Sequence, residues 1–390
     1  MTERNSGVVV CWYFHLATAC TDWEVADMAR RSITPLLAAH RKAQQAVVLA
    51  ISGSLLSRIA EIAPSVIDDI DGLLRQGLCE IAATCQHEVY PPAVPFRFLS
   101  LHVSRDVQIK RATFGVTPRI FYPPNLVWVG AFEHILAENG IDSVILDGAH
   151  YRLGASAQTW KWTLSDINHI ATELLEPDVD PREVWRVVEY RARELPLDGS
   201  KQRRLRCFFR DNRAVARFSF GNAGLIHCVD DAGASADFVN DLSKQTDAGH
   251  LITLADDGDR VNPVSLFRYQ GFLHELAAGT CALPADCSPS RAYPELAYLP
   301  SFATAGFDEF VRSGLDSTHY LSLLAELYAN DRLDARGVDE LLALQDVFFL
   351  FWKTLPRKHE YLERLLTLQH TNKGRGIEAN TPQRAEDYYQ

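Results

Sequence analysis

Residues 118–150, PRIFYPPNLVWVGAFEHILAENGIDSVILDGAH, carry strand and helix signals in an order that decides the fold class. Arg119 to Tyr122 form a short apolar strand, and Pro123-Pro124 stop it, because proline removes a ladder donor and fixes φ. Phe132, Ile135 and Leu136 then recur at helical spacing, and Asn139-Gly140 supply residues able to turn left-handed and close the helix. Ile141 to Leu146 form a second buried strand that delivers Asp147 and His150 at its C-terminal end. Strand, loop, helix and strand make one βαβ unit. Polar residues at strand ends are where barrels keep their chemistry.

The same alternation extends in both directions. Val8 to Phe14 are a near-continuous apolar run suited to a sheet covered on both faces, and it ends at His15. Asp22 to Leu37 have helical spacing, Ala46 to Ile51 are the next buried strand, and Ser52-Gly53-Ser54 make a small-residue turn. Pro64 to Leu74 are an amphipathic helix with Gly77 as its cap, and Gly77 to Ile81 a strand that runs into Cys85-Gln86-His87-Glu88-Val89-Tyr90-Pro91. Ala171 to Arg193 are assigned one or two helices, Leu197 to Arg204 a polar loop, and Gly249 to Leu254 the last strand. About seven strands alternating with helices imply an α/β protein with a parallel sheet. From Val264 strands vanish: Leu266–Ala278, Tyr320–Ala329, Gly337–Trp352 and His359–Gln369 are helical by period, and Lys373 to Gln390 are polar.

Composition narrows the class. With 390 residues, 47% of them hydrophobic, the chain can bury one barrel-sized core plus a smaller unit. A formal charge of −11 argues against nucleic acid as a partner, since phosphate binders concentrate basic residues; the run Lys201 to Arg206 is explained by a solvated edge. No apolar run reaches the roughly 20 residues of a membrane span, and MTERNSG lacks the order of a signal peptide. Eight scattered cysteines without a C-x-x-C pair point to a reduced, cytoplasmic protein. An oligomer is compatible with this composition.

Several segments together resemble glycoside hydrolase family 57. That family opens with a strand ending H-x-H-Q-P; here Tyr13 replaces the first histidine, His15 keeps the second and Ala17 replaces the proline. Ser52-Gly53-Ser54-Leu55-Leu56 follows its F-S-G-x-L-L, and Gly77-Leu78-Cys79-Glu80-Ile81 its G-x-x-E-I/L. Tyr122 to Trp128 and Gly140 to His150 fall on W-x-x-E-R-V-W and G-I-x-x-x-x-x-D-D-x-H, with Gly148 in place of the second aspartate. Cys207-Phe208-Phe209-Arg210-Asp211 through Phe220 resemble its F-x-R-D segment, and Asp256-Asp257-Gly258-Asp259 its D-D-G-E. The resemblance implies an incomplete parallel (β/α)7 barrel over residues 1–263, a helical domain at its mouth over 264–370 and a polar tail over 371–390. It also implies that Asp257 is the general acid/base, that no cofactor or metal is needed, and that a carbohydrate or sugar-containing molecule is the partner. The family's nucleophilic glutamate falls at position 125, where this chain has Asn125.

Retaining glycoside hydrolysis needs two carboxyl groups about 5 to 5.5 Å apart. An amide offers only a carbonyl acceptor and an NH₂ donor, so Asn125 can orient a hydroxyl but cannot readily carry a glycosyl ester. Three readings follow. In the favoured one the protein is a carbohydrate-active enzyme of altered mechanism: Asp257 is the acid, and Asp147, Asp256, Asp259 or Glu80 is the second carboxylate. In the second it is a sugar-binding protein on a dead scaffold, with Tyr122, Trp128 and Trp160 stacking on sugars. In the third His15 and His87, with Asp147 or Asp257, bind a divalent metal for hydrolysis. His15, His87, His150, Asn125, Asp147, Asp257 and Asp259 are expected to converge at one mouth. Other candidates have a plainer explanation beside the functional one: Trp128 as core, Glu80 as a buried hydrogen-bonded carboxylate, Arg210-Asp211 as a structural pair. Asn125→Glu is expected to restore a carboxylate partner for Asp257.

Overall fold

The computed structural model of the protein describes residues 6–148, 150–151, 186–191, 204–211, 214–215, 232–260, 263–289, 315–329, 333–346 and 358–374. Eight strands lie among them: β1 (Gly7–Phe14), β2 (Val47–Ile51), β3 (Cys79–Ala82), β4 (Ile120–Phe121), β5 (Ser143–Asp147), β6 (Val187–Arg191), β7 (Arg204–Arg210) and β8 (Leu251–Asp257). Seven run parallel in the order β3-β2-β1-β8-β7-β5-β4. The two ends of that order meet. Ala83, just past β3, bridges Phe121 of β4, and its amide and carbonyl bond Ile120 and Tyr122 at 2.8 Å each. The sheet is therefore a nearly closed parallel (β/α) barrel, as expected from the strand count.

Alternation along each strand separates two cores, because successive side chains point to opposite faces. Val9, Cys11, Tyr13, Val48, Ala50, Ala82, Ile120, Tyr122, Ile145, Phe208 and Ala255 fill the bore. Val8, Val10, Trp12, Phe14, Val47, Leu49, Ile51, Ile252 and Leu254 face the surrounding helices. The positions that end the inward series at the carboxyl edge are Tyr13, Asp147, Arg210 and Asp257. At the opposite edge residues 281–287 stopper the bore. Cys281 bridges Val8, and Arg206 donates to the carbonyls of Pro284 (3.2 Å) and Cys287 (3.0 Å).

Among the described residues the helices of the barrel unit are α1 (Asp22–Met28), α2 (Thr34–Ala43), α3 (Gly53–Ile62), α4 (Pro64–Arg75), α5 (Phe96–Phe114), α6 (Ala131–Glu138), α7 (Ala232–Asp247) and α8 (Pro263–Glu275). Thr21 and Glu24 form a capping box that starts α1, and a π-helical turn at Ala29–Ile33 carries it into α2. Gly140, at φ 72°, ends α6 as its sequence position predicts. A buried polar chain ties α2, β1 and α8 together: Trp12 Nε1 donates to the Tyr269 hydroxyl at 3.0 Å, which meets His40 Nε2, and His40 Nδ1 lies 3.0 Å from the Gln45 carbonyl. Burial holds the His40 imidazole neutral, with its pKa lowered to about 4.

Two compact units divide the chain, Met1–Thr304 and Ala305–Gln390, so α8 belongs to the barrel unit. The second unit holds α9 (Leu315–Tyr328), α10 (Ala335–Leu344) and α11 (Lys358–Gly374). Inside it the Tyr320 hydroxyl donates to the Leu344 carbonyl, Tyr361 to Asp346 at 3.1 Å, and Arg364 grips Glu340 at 2.6 and 2.9 Å. Among the described residues no helix is long and apolar enough to cross a membrane.

Three local expectations are corrected. Val187–Arg191, assigned to a helix, is β6, which runs antiparallel to β7. The strand β7 already begins at Arg204, where a loop was expected. The helix expected over Gly337–Trp352 ends at Leu344. Helix α5 has no counterpart in the sequence reading. Its buried stripe (Phe98, Leu99, His102, Val103, Asp106, Val107, Lys110) has helical spacing, but His, Asp and Lys occupy part of it and mask the apolar period. The expectations made for residues 171–185, 197–203 and 218–220, and for Trp160, lie outside the described residues.

Candidate active site at the carboxyl ends of the barrel strands

The register of β1 against β8 sets Tyr13 beside Asp257, both pointing into the bore. From that pair the site builds upward. His15, two residues beyond Tyr13, turns its Nε2 to within 3.8 Å of Asp257 Oδ1. Asp257 keeps 31% of its side chain open to solvent, so a substrate can touch it. Gly258 follows because the Phe14 ring lies directly beneath: a Cβ there would meet Cε1 and Cζ at 2.5 Å. A side chain at 258 would lift the Asp257–Asp259 turn off its seat.

Glu88, fully buried, is the residue that ties the loops together. Its Oε1 accepts from Asn125 Nδ2 at 2.7 Å, and its Oε2 accepts from the Tyr13 hydroxyl. The Tyr13 ring lies 4.7 Å from the His15 ring on one side and is stacked on Tyr122 at 4.7 Å on the other. Asn125 reaches Glu88 from a left-handed backbone, φ 52° and ψ 24°, a conformation asparagine tolerates better than most residues. His87, beside Glu88, is buried, and its Nδ1 lies 3.2 Å from Thr18 Oγ1 in the loop after β1.

Charge in the mouth is concentrated around His15. Burial alone would lower its pKa, but Glu88 first, then Asp257 and Asp259, raise it from 6.5 to about 10. His15 is therefore an imidazolium at neutral pH. Across the bore Arg210 is paired with Asp147 by the β5–β7 register, and its pKa is raised further, chiefly by Asp147 once burial is overcome. The phenol of Tyr122 is pushed up by burial and then by Asp257.

The structure thus brings His15, Asn125, Asp147, Tyr122, Asp257 and Asp259 to one mouth, with His87 at its rim. His150 is buried beside the end of β5, its Nδ1 3.2 Å from the Asp147 carbonyl. Two expected members stand elsewhere. Trp128 is 0% exposed and packs on Phe132 at 5.7 Å, so it is core and no sugar platform. Glu80 lies at the stoppered end, accepting from the Ala285 amide at 3.0 Å, and burial raises its pKa to about 7. It holds the plug, which is the plainer of its two readings. Sequence reasoning missed Glu88, Tyr13 and Arg210 as site members. Alternation along β1 and β7 could have found the last two, whereas Glu88 is placed by a loop.

His15, Asp257 and Asp259 each offer one ligand atom, all within 4.8 Å of one another, so the three could share a cation. A metal there would have to displace the proton that Glu88 and Asp257 hold on His15. That proton has a measurable signature. A group whose folded pKa is raised contributes stability that is complete below its unfolded pKa and is lost as pH rises through the folded one. The His15 contribution is therefore expected to be full below about 6.5 and to fade toward about 10. Denaturation midpoints taken across that window should fall more steeply for the wild type than for His15→Gln; parallel curves would contradict the assignment.

The model of Glycosyl hydrolase family 57 matches residues 29–279. The chain belongs to that family. Solved family 57 structures align over nearly its whole length. A GH57 branching enzyme from Thermococcus kodakaraensis has a TM-score of 0.68 at 11% identity, covering 97% of this chain and 92% of its own. A 4-alpha-glucanotransferase from Thermococcus litoralis gives 0.66 at 15%, covering 95% of this chain, which spans 60% of that enzyme's length. An alpha-amylase from Thermotoga maritima gives 0.62 at 11%, covering 95% and 93%. At such identities the likeness carries the fold alone. No curated protein matches the sequence.

Proposed function

We propose that this family 57 chain is a carbohydrate-active enzyme that cleaves or transfers at a glycosidic bond of an α-glucan or another sugar-containing substrate. Asp257 is its acid/base, and no carboxylate stands at position 125. The observation that carries this reading is the solvent-open Asp257 carboxylate at the end of β8, held against a protonated His15. A leaving sugar oxygen needs a proton in the transition state, and the His15–Asp257 pair stores one beside the place where a substrate enters. The neighbours that bear this fold are named as a branching enzyme, a glucanotransferase and an amylase, which fits the substrate class. None of the seven described cysteines forms a disulfide, which fits a reducing compartment such as the cytoplasm. Trp128, being buried, gives no support to the reading in which it stacks on a bound sugar.

The test is incubation with maltooligosaccharides of defined length, with products separated by size. New chain lengths, shorter for hydrolysis and both shorter and longer for transfer, are the expected result. Saturable binding of the same oligosaccharides with no change in length over days would sink the reading in favour of a binding protein.

A further inference from the structure

We infer that Glu88 is the second carboxylate of this site, and that it acts on the substrate through the side chain of Asn125. The inference rests on the glycosidic reading above. A glycosidic site needs a carboxyl group opposite its acid, and the other candidates at the mouth are committed elsewhere. Asp147 neighbours Arg210 in the β5–β7 register and is the largest charge acting to raise that guanidinium's pKa. Asp256 is turned outward by alternation, since its register neighbour Trp12 faces the helices. Asp259 and Asp257 have carboxylate oxygens within 4.8 Å of each other, too close to leave room for a water on the far face of a sugar. Glu88 is buried and cannot itself reach a sugar, but Asn125, partly exposed, lies one hydrogen bond away at 2.7 Å.

The direction of that bond matters. A carboxylate can only accept, so the Asn125 NH₂ is committed to Glu88 and its carbonyl oxygen is left as the acceptor to meet a ligand. An acceptor backed by a carboxylate is a base relay. A water, or an acceptor hydroxyl, attacks the anomeric carbon as the bond to the leaving oxygen breaks. The attacking group loses its proton to Asn125 Oδ1, while an Nδ2 proton passes to Glu88 Oε1. Asn125 thus becomes the imidic acid and Glu88 a neutral acid, and the leaving oxygen takes, through Asp257, the proton stored in the His15–Asp257 pair. Reversal of the relay afterwards returns a proton from Glu88 to Nδ2 and releases the one on Oδ1 to solvent, while the His15–Asp257 pair takes one back from solvent. Asn125 is the residue that touches the reaction; Glu88 is a positioning residue and proton sink behind it. Single displacement on the face opposite the leaving group inverts the anomeric centre.

The experiment follows the anomer first released from maltotriose and from α-maltotriosyl fluoride by proton NMR, in the full-length wild type, Glu88→Gln and Asn125→Ala. Inverted first product is expected in the wild type. Both variants should lose at least about 100-fold in kcat, in line with removal of a general base. Glu88→Gln is near isosteric, and its thermal midpoint is recorded to separate unfolding from lost chemistry. Wild-type activity should fall on the acid side as Glu88 protonates, and the residual activity of Glu88→Gln should lack that limb. A retained first product, or a Glu88→Gln enzyme with unchanged kcat and acid limb, overturns this inference while leaving the glycosidic reading intact. A wild type inert toward both substrates removes the glycosidic reading itself, and this inference with it.

Discussion

Lys110→Met is expected to lower the stability of the barrel unit by about 3–5 kcal/mol, the range for breaking a buried ion pair from one side. Lys110 Nζ donates to Asp106 Oδ2 at 2.6 Å, one turn apart on α5, and both side chains are 0% exposed. The same carboxylate oxygen accepts from the Thr84 amide at 2.7 Å, just past the strand β3. Burial raises the Asp106 pKa and lowers that of Lys110, and each opposes the shift in the other. Removing the ammonium strands a carboxylate in the core, and Asp106 must then take up a proton to stay folded. The double variant Lys110→Met/Asp106→Asn should recover much of the loss, because an amide oxygen still receives Thr84 without charge. Denaturant midpoints of the two variants decide the matter; a single variant within about 1 kcal/mol of wild type would mean the pair contributes little. The pair also matters for chemistry. It pins the segment running from Thr84 to Glu88, which Gln86 anchors further through its amide on the His102 carbonyl at 3.0 Å.

Asp257→Asn is expected to reduce kcat on maltooligosaccharides by about 10²–10⁴, the usual span for losing a general acid/base. The substitution keeps the shape of the side chain and the Gly258 turn, and it removes one of the carboxylates that keep His15 protonated. Two further changes separate lost proton transfer from a disturbed fold. The alkaline limb of the pH–rate profile should change, because the His15–Asp257 pair that stores the proton is broken. Turnover of α-maltotriosyl fluoride, whose leaving group needs little protonation, should fall far less than turnover of maltotriose. Equal losses on both would assign Asp257 to binding instead of proton donation.

Asn125→Glu, which the sequence alone recommends as a rescue, takes on a different meaning in the folded chain. The new carboxylate would lie one hydrogen bond from Glu88, where two like charges cannot both ionise. The barrel was legible because β1 and β2 are uninterrupted apolar runs, β5 and β8 are apolar strands that end in aspartate, and Gly77 and Gly140 mark helix ends. Asp257 and His15 were legible as strand-end residues. Glu88 was not, since nothing in a loop's composition says which of its charged side chains turns inward. Helix α5 and the strand β6 escaped for related reasons: one hides its period behind buried His, Asp and Lys, and the other joins the sheet antiparallel and too briefly to leave a pattern.

The place of β1 between β2 and β8 has a consequence for how the chain reaches this state. Trp12 and Tyr269, which bond each other, stand 257 positions apart. Contacts so distant in the chain make folding slow, because loop closure must precede any gain from pairing. At about 5–20 residues per second of synthesis, one edge of β1 waits on the order of tens of seconds for β8 to emerge. That edge is the uncharged segment GVVVCWYF, the kind of strand that pairs with its own copies when left open. Nascent and refolding chains of this protein should therefore depend on a holding chaperone, or on dilution, more than the finished barrel does.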